Sequence, residues 1–227
     1  MTIKKQIKEI QLLIKNTAES CHRDPKDISL LAVTKSQPAS VIREAYNEGL
    51  RHFAESYWQE ADKKIEELKD LDICWHFIGP IQSNKVASIA NAFSWVHSLS
   101  REKIALMLAK NRFSHFPPLN VCIQVNLDSE DSKSGVAIDE LSYFAQLIQS
   151  LPTLKLRGLM AIPKPRSNEE QQFLSLERLK NLFLELNKEL HLNMDTLSMG
   201  MSDDLKAAIK AGSTMVRVGR AIFGERQ

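Results

Sequence analysis

The 227-residue sequence predicts an α/β fold: a single (β/α)8 TIM barrel with one extra helix at the N-terminus. Three observations carry this. Short apolar runs alternate with longer amphipathic ones, the pattern of parallel strands joined by helical crossovers. Eight such runs fit this length, whereas an open doubly wound sheet, the alternative, usually carries fewer. No Pro/Gly/Ser-rich linker or low-complexity stretch interrupts them, so residues 1–227 read as one domain.

Taken in order, residues 3–17 form an amphipathic helix with Ile3, Ile7, Ile10 and Ile14 on one stripe. The first strand is "ISLLAVT" (28–34), followed by a helix over 39–48. "LRHFA" (50–54) leads to a helix over 56–69, and "ICWHFIG" (73–79) to one over 83–91. "FSWVHS" (93–98) precedes a helix at 101–113, and "LNVCIQVN" (119–126) one at 138–150. "LKLRGLMAI" (154–162) precedes a helix at 169–190, "DTLSMG" (195–200) one at 203–211, and "STMVRVG" (213–219) is the eighth strand. In "YNEGL" and "IKAGS" a glycine stands where a helix must stop, a position that calls for positive φ. After strand eight only "RAIFGERQ" remains, too short for a full outer helix. The N-terminal helix is therefore expected to cover the barrel surface left bare there.

Composition excludes several classes. Net charge is +2, with basic residues dispersed among acidic ones, which argues against a nucleic-acid surface. The charged N-terminus lacks a signal-peptide core, and no apolar run approaches the ~20 residues a bilayer span needs. A soluble cytoplasmic protein is expected. Cys21, Cys74 and Cys122 are odd in number, widely spaced and without a CxxC pair, and the six histidines form no HxxxH or HxH pair, so no disulfide framework and no metal site is expected.

In this architecture chemistry gathers where strands end. Strand one ends at Lys35 and Ser36, strand two at Glu55, Ser56 and Tyr57, and strand three at Gln82, Ser83, Asn84 and Lys85. His97 and Ser98, Asn126, and Met160 with Ala161 follow, then "SMGMSDD", then Gly219 and Arg220, whereas the opposite strand ends are bland. The loops after strands seven and eight are a recurring phosphate site in such barrels, and Ser202, Gly200 and Gly219 suit backbone approach to an anion. The plainer reading makes Ser202 only a helix N-cap and Gly219 only a turn. Asp203 and Asp204 oppose a phosphate unless they face away. In strand eight Met215, Arg217 and Gly219 share one face, so Arg217 is buried and needs an acceptor, in an ion pair or a ligand.

With "LLAVTK", "HFIGPIQSNK", "VHSLSR", "VNLDSEDSKSGV", "LRGLMAIP" and "LSMGMSDDLKAAIKAGSTMVRVGRAIFG", the sequence resembles the pyridoxal phosphate homeostasis protein family over nearly its whole length. These are barrels similar to the N-terminal domain of alanine racemase. The resemblance implies that Lys35 carries pyridoxal 5′-phosphate (PLP) as an internal aldimine, which requires a neutral amine. It implies that Arg217 faces the pyridine nitrogen and makes the ring a poorer electron sink than an aspartate would. The resemblance gives the phosphate to Ser202 and to backbone groups at Gly219 and Arg220, independent of the Arg220 side chain, with Met199 and Gly200 shaping the loop and Asn84 on the rim. Where the family commonly has Gly-Glu-Asn-Tyr, this chain has Ala54, Glu55, Ser56 and Tyr57; the resemblance keeps Ser56 at the cofactor, as a shorter side chain that would reach it through a water.

Of the remaining candidates, His76 reads as a hydrogen-bonded core residue. His97 is open between core and site, and Lys133 between closing the mouth and solvation. Three functional readings follow. The favoured one is reversible PLP binding for intracellular PLP homeostasis, buffering or supplying apo PLP-dependent enzymes without turnover, by a monomer. The second is a PLP-dependent amino-acid racemase, which needs a second acid/base that alanine racemase draws from a further domain. The third is a cofactor-free Schiff-base aldolase.

Overall fold

A computed structural model describes residues 2–128 and 134–224. Eight parallel strands close a barrel in sequence order: β1 Ser29–Val33, β2 His52–Glu55, β3 Cys74–Phe77, β4 Trp95–Leu99, β5 Leu119–Gln124, β6 Leu154–Met160, β7 Thr196–Ser198 and β8 Met215–Val218. The helices are α1 Ile3–Ser20, α2 Ala39–Asn47, α3 Trp58–Glu67, α4 Val86–Ala92, α5 Glu102–Asn111, α6 Leu141–Gln149, α7 Glu169–Glu189, α8 Leu205–Lys210 and the single turn α9 Arg220–Phe223. β8 pairs with β1 through Ser29–Met215 to Ala32–Val218, which closes the ring and rules out the open sheet. No described helix is long and apolar enough to cross a membrane.

The extra helix lies where expected. Thr2 caps α1 by accepting from the Lys5 N–H; Ile7, Ile10 and Ile14 are buried and Ile3 is partly so. The helix packs against α8, α9 and α2, over the gap beside the short α9. Arg23, just beyond it, donates to the carbonyls of Ile209 (2.6 Å) and Ser213 (2.7 Å) and so pins the end of α1 to the end of α8. Ile7 is 1% exposed; Ile7→Ala is expected to cost about 2–4 kcal/mol in urea unfolding.

Strand alternation sorts the barrel. Outward residues such as Ala32, Phe53, Val121, Leu197, Val216 and Val218 join the helices in the main core. Inside lie two small apolar groups, Leu31 with Ala54 and Met215, and Trp95 with Cys122 and Met160. The polar side chains of His52, His76, His97, Ser198 and Arg217 form a hydrogen-bonded chain through the interior. Gly49 and Gly212 adopt φ of +99° and +102°, as their helix-stopping positions require.

The differences from expectation fall at strand and helix ends. β7 stops at Ser198, because Gly200 turns the chain at φ +94° and its carbonyl accepts from the Arg217 N–H (2.9 Å). α8 starts at Leu205 with Asp204 at its N-cap position, so Ser202 is not the cap. α3 begins at Trp58, which leaves Ser56 and Tyr57 in the loop. A 3-10 turn over Ser83–Lys85 precedes α4 and takes Asn84 out of the expected helix.

Candidate active site at the barrel mouth

At the C-terminal end of the strands the loops enclose a cavity of about 630 Å³. Lys35, Ser56, Ser202, Arg217, Gly219 and Arg220 all line it, from four separate βα loops and strand ends. Three expected residues do not. Met199 is fully buried in the outer core, and its carbonyl accepts from the Ser213 hydroxyl (2.7 Å). Gly200 acts only on loop shape: a Cβ there would overlap that of Ala208. Asn84 is exposed on its turn and away from the cavity. Lys133 lies outside the described residues.

Lys35 is half-buried, and the backbone on either side of it is anchored. Ser36 holds a left-handed conformation (φ +63°) while its N–H donates to Glu60 Oε2 at 2.8 Å. On the other side the Thr34 carbonyl accepts from Lys64 Nζ (2.8 Å), which also donates to Glu55 Oε1 (2.8 Å). The Thr34 hydroxyl completes the group by donating to Glu55 Oε1 at 2.6 Å. Burial pushes the Glu55 carboxyl up, with Lys64 and Thr34 opposing. Sequence reading gave Glu55 and Lys64 no role. The signal was an acid at a strand end followed, nine residues on, by a lysine on the inner face of the next helix.

Arg217 forms the cavity floor. Its Nη1 donates to the Ser198 carbonyl (2.6 Å) and hydroxyl (2.9 Å), and Nη2 donates to the Ala161 carbonyl (3.0 Å). All three acceptors are neutral, so no carboxylate bonds this buried guanidinium, and burial lowers its pKa to about 10. Of its five N–H groups two remain without a protein partner among the described residues. The structural ion pair that strand position alone allowed is not what holds it.

On the opposite side Ser202 lines the cavity and its hydroxyl has no partner among the described residues. Asp203, which stood against an anion, does not face away: it lines the cavity and pairs there with Arg220 (2.8 Å). The Asp204 carboxylate turns to the Met201 N–H (2.6 Å), and burial raises its pKa. Gly219 sits tightly beside β1, since a Cβ there would stand 3.2 Å from the Val33 carbonyl oxygen. It opens α9, and its carbonyl accepts from the Ile222 (2.9 Å) and Phe223 (3.0 Å) N–H groups.

His76 is fully buried, stacked on Trp95 and bonded to both His52 and His97. His97 is equally buried, does not line the cavity, and bonds His76 and Ser198. None of Tyr46, Tyr57 and Tyr143 lines the cavity; Tyr143 donates to Glu102, and the Arg51 guanidinium lies over the Tyr46 ring.

A closed barrel with a lysine after strand one, an arginine on strand eight and a small-residue loop between them is the architecture of the alanine racemase N-terminal domain. The model of that family, "Alanine racemase, N-terminal domain", matches residues 11–227. The chain belongs, within that fold group, to the pyridoxal phosphate homeostasis protein family. It is 52% identical over 225 residues to the protein of that name from Pseudomonas aeruginosa, covering 99% of this chain and 96% of the relative. The Escherichia coli K12 protein of the same name is 49% identical over 216 residues, covering 94% and 92%. Among solved structures, PipY of Synechococcus elongatus with PLP bound superposes with a TM-score of 0.87 at 31% identity, covering 98% of this chain and all of that one. An alanine racemase from Clostridium difficile shares the fold alone, with a TM-score of 0.71 at 13% identity over 95% of this chain and 56% of that one.

Proposed function

We propose that this chain binds PLP reversibly at the barrel mouth and serves its intracellular supply or buffering, without turning over a substrate. The observation that carries this is the opening of Lys35 and Arg217 onto one cavity whose other wall holds Ser202, Gly219 and Arg220. PLP supplies an aldehyde carbon that a neutral amine attacks reversibly. Lys35 is the residue that would supply that amine. The two spare N–H groups of Arg217 offer donors to an unprotonated pyridine nitrogen, and a cation already on the floor disfavours its protonation. Ser202, the backbone at Gly219 and Arg220, and the Arg220 side chain grip the phosphate, which requires Arg220 to loosen from Asp203. Ser56 reaches the same space with a shorter arm than asparagine.

The racemase reading needs a second proton-transfer group facing Lys35. No tyrosine lines the cavity among the described residues, and the arginine floor opposes α-proton chemistry. Delivery to apo PLP-dependent enzymes, a cytoplasmic location and a monomeric state complete the proposal.

The test is borohydride reduction of protein incubated with PLP, followed by peptide mass mapping. The PLP mass is expected on the peptide containing Lys35, and Lys35→Ala is expected to lose the yellow colour and all fixed cofactor while keeping weaker phosphate-dependent binding. A colourless wild type, or label fixed elsewhere, overturns the assignment. Rapid α-deuterium incorporation into single amino acids in deuterium oxide overturns the absence of turnover.

A further inference from the structure

The barrel interior holds a continuous hydrogen-bonded chain that binding of a ligand at the mouth does not require. Starting below the cavity floor, Arg217 Nη1 meets the Ser198 hydroxyl at 2.9 Å, and that hydroxyl meets His97 Nδ1 at 2.8 Å. His97 Nε2 meets His76 Nδ1 at 2.9 Å, and His76 Nε2 meets His52 Nδ1 at 3.0 Å. The chain crosses from β8 and β7 to β4, β3 and β2, and ends at a half-buried ring at the start of β2, by the opposite mouth.

Elementary donor accounting fixes its direction. Arginine only donates, so Ser198 Oγ accepts from Arg217. The hydroxyl hydrogen has one other neighbour among the described residues, His97 Nδ1, so Ser198 donates to it. A neutral His97 then carries its proton on Nε2 and donates to His76 Nδ1, and a neutral His76 donates from Nε2 to His52. Neutrality has a physical cause. Burial lowers the pKa of His97 to about 3, helped by the Arg217 charge, and burial and the two neighbouring rings lower that of His76. The same ordering explains the convergence of His52, Cys74 and His76, whose donor atoms lie within 4.8 Å of one another. A proton already joins the two rings, so hydrogen bonding accounts for the cluster and it is not assigned to a metal.

We propose that Ser198 and His97 are positioning residues for Arg217, held by a relay of single polarity running Arg217→Ser198→His97→His76→His52. Only the Nε2–H tautomer of His97 serves. If His97 carried its proton on Nδ1, the Ser198 hydroxyl hydrogen would be stranded beside the guanidinium in a buried site. Because Ser198 and the histidines behind it are neutral, the relay orients the guanidinium without neutralising it. The link from this orientation to PLP rests on the function proposed above; the polarity itself does not.

The first experiment therefore uses ligand-free wild-type protein labelled with 15N at histidine. His97 and His76 are expected as Nε2–H tautomers that stay neutral down to about pH 5. Either ring found as the Nδ1–H tautomer, or titrating near an ordinary histidine value, overturns the relay whether or not PLP binds. The second experiment measures PLP affinity by absorbance. Ser198→Ala is expected to weaken binding about tenfold or more. His97→Asn, which keeps an acceptor where Nδ1 stood, is expected to retain most of the affinity, whereas His97→Leu is expected to lose as much as Ser198→Ala. Equal affinity across all three variants overturns the positioning role. Failure of the wild type to bind PLP overturns the proposed function and leaves the polarity to the NMR result.

Discussion

Replacing Lys64 by methionine is expected to remove about 3–5 kcal/mol of folding stability at neutral pH, because it strands a buried charge. Lys64 and Glu55 have side chains only 9% and 0% exposed, joined at 2.8 Å. Without the ammonium, Glu55 keeps a single donor, the Thr34 hydroxyl, and its Oε2 already lacks a partner. The loss depends on pH, and its sign follows from burial. Glu55 has a raised carboxyl pKa, so its contribution is fully present below the unfolded value and is lost as pH rises through the folded one. Removing Lys64 raises the folded pKa further, since the lysine opposes the shift. The deficit of Lys64→Met is therefore expected to shrink on acidification. Urea unfolding at about pH 8 and about pH 5 checks both size and trend. An equal deficit at the two values would mean that Glu55 stays charged in the variant. Because Lys64 also ties down the Thr34 carbonyl, the variant is expected to loosen the loop that carries Lys35.

Gly158→Ala is expected to prevent stable folding. In β6 this glycine pairs with Thr196 of β7, and a Cβ on it would overlap the Thr196 carbonyl oxygen, backbone that no rotamer change can move. β5 and β6 shift register between Val121 and Cys122, where Cys122 meets Gly158, so the ring passes through this point with an irregular step. β7 is three residues long and β7–β8 pairing has one register pair, Ser198–Met215, so forcing β6 and β7 apart leaves little to hold β7. A loss above about 4 kcal/mol follows, seen as insoluble expression or absent native circular dichroism. A soluble, cooperatively unfolding Gly158→Ala protein would show that β6 and β7 can separate locally.

Element number, order and parallel closure were legible in the sequence because each strand reads as a short apolar run and each helix as an amphipathic one. The α1 stripe was legible for the same reason: Ile7, Ile10 and Ile14 fall at helical spacing and bury together. Strand ends were not. "DTLSMG" is apolar and small throughout, but only Thr196–Ser198 pair as strand, since Gly200 must turn to bring its carbonyl to Arg217. For the site, strand-end position identified Lys35, Ser56, Ser202, Gly219 and Arg220 as neighbours, and alternation put Arg217 inside. Met199 and Asn84 do not line the cavity, for opposite reasons: one sits on the outward face of its strand's extension, the other on a turn that points to solvent. The histidine chain was hidden because its members lie 24, 21 and 101 residues apart. Only strand register reveals that His52, Cys74, Ala54 and His76 stack as paired positions.

The guanidinium held by neutral oxygens has a consequence for the lifetime of the molecule. A buried cation with no carboxylate bonded to it among the described residues carries a desolvation cost that Asp204 offsets only in part. A ligand that brings negative charge and a good acceptor to it stabilises the native chain by mass action. Loaded and empty copies should then differ in how often they open to proteases. A cell holding such a reservoir would clear idle copies first, so abundance would follow the supply of the vitamin without any dedicated sensor.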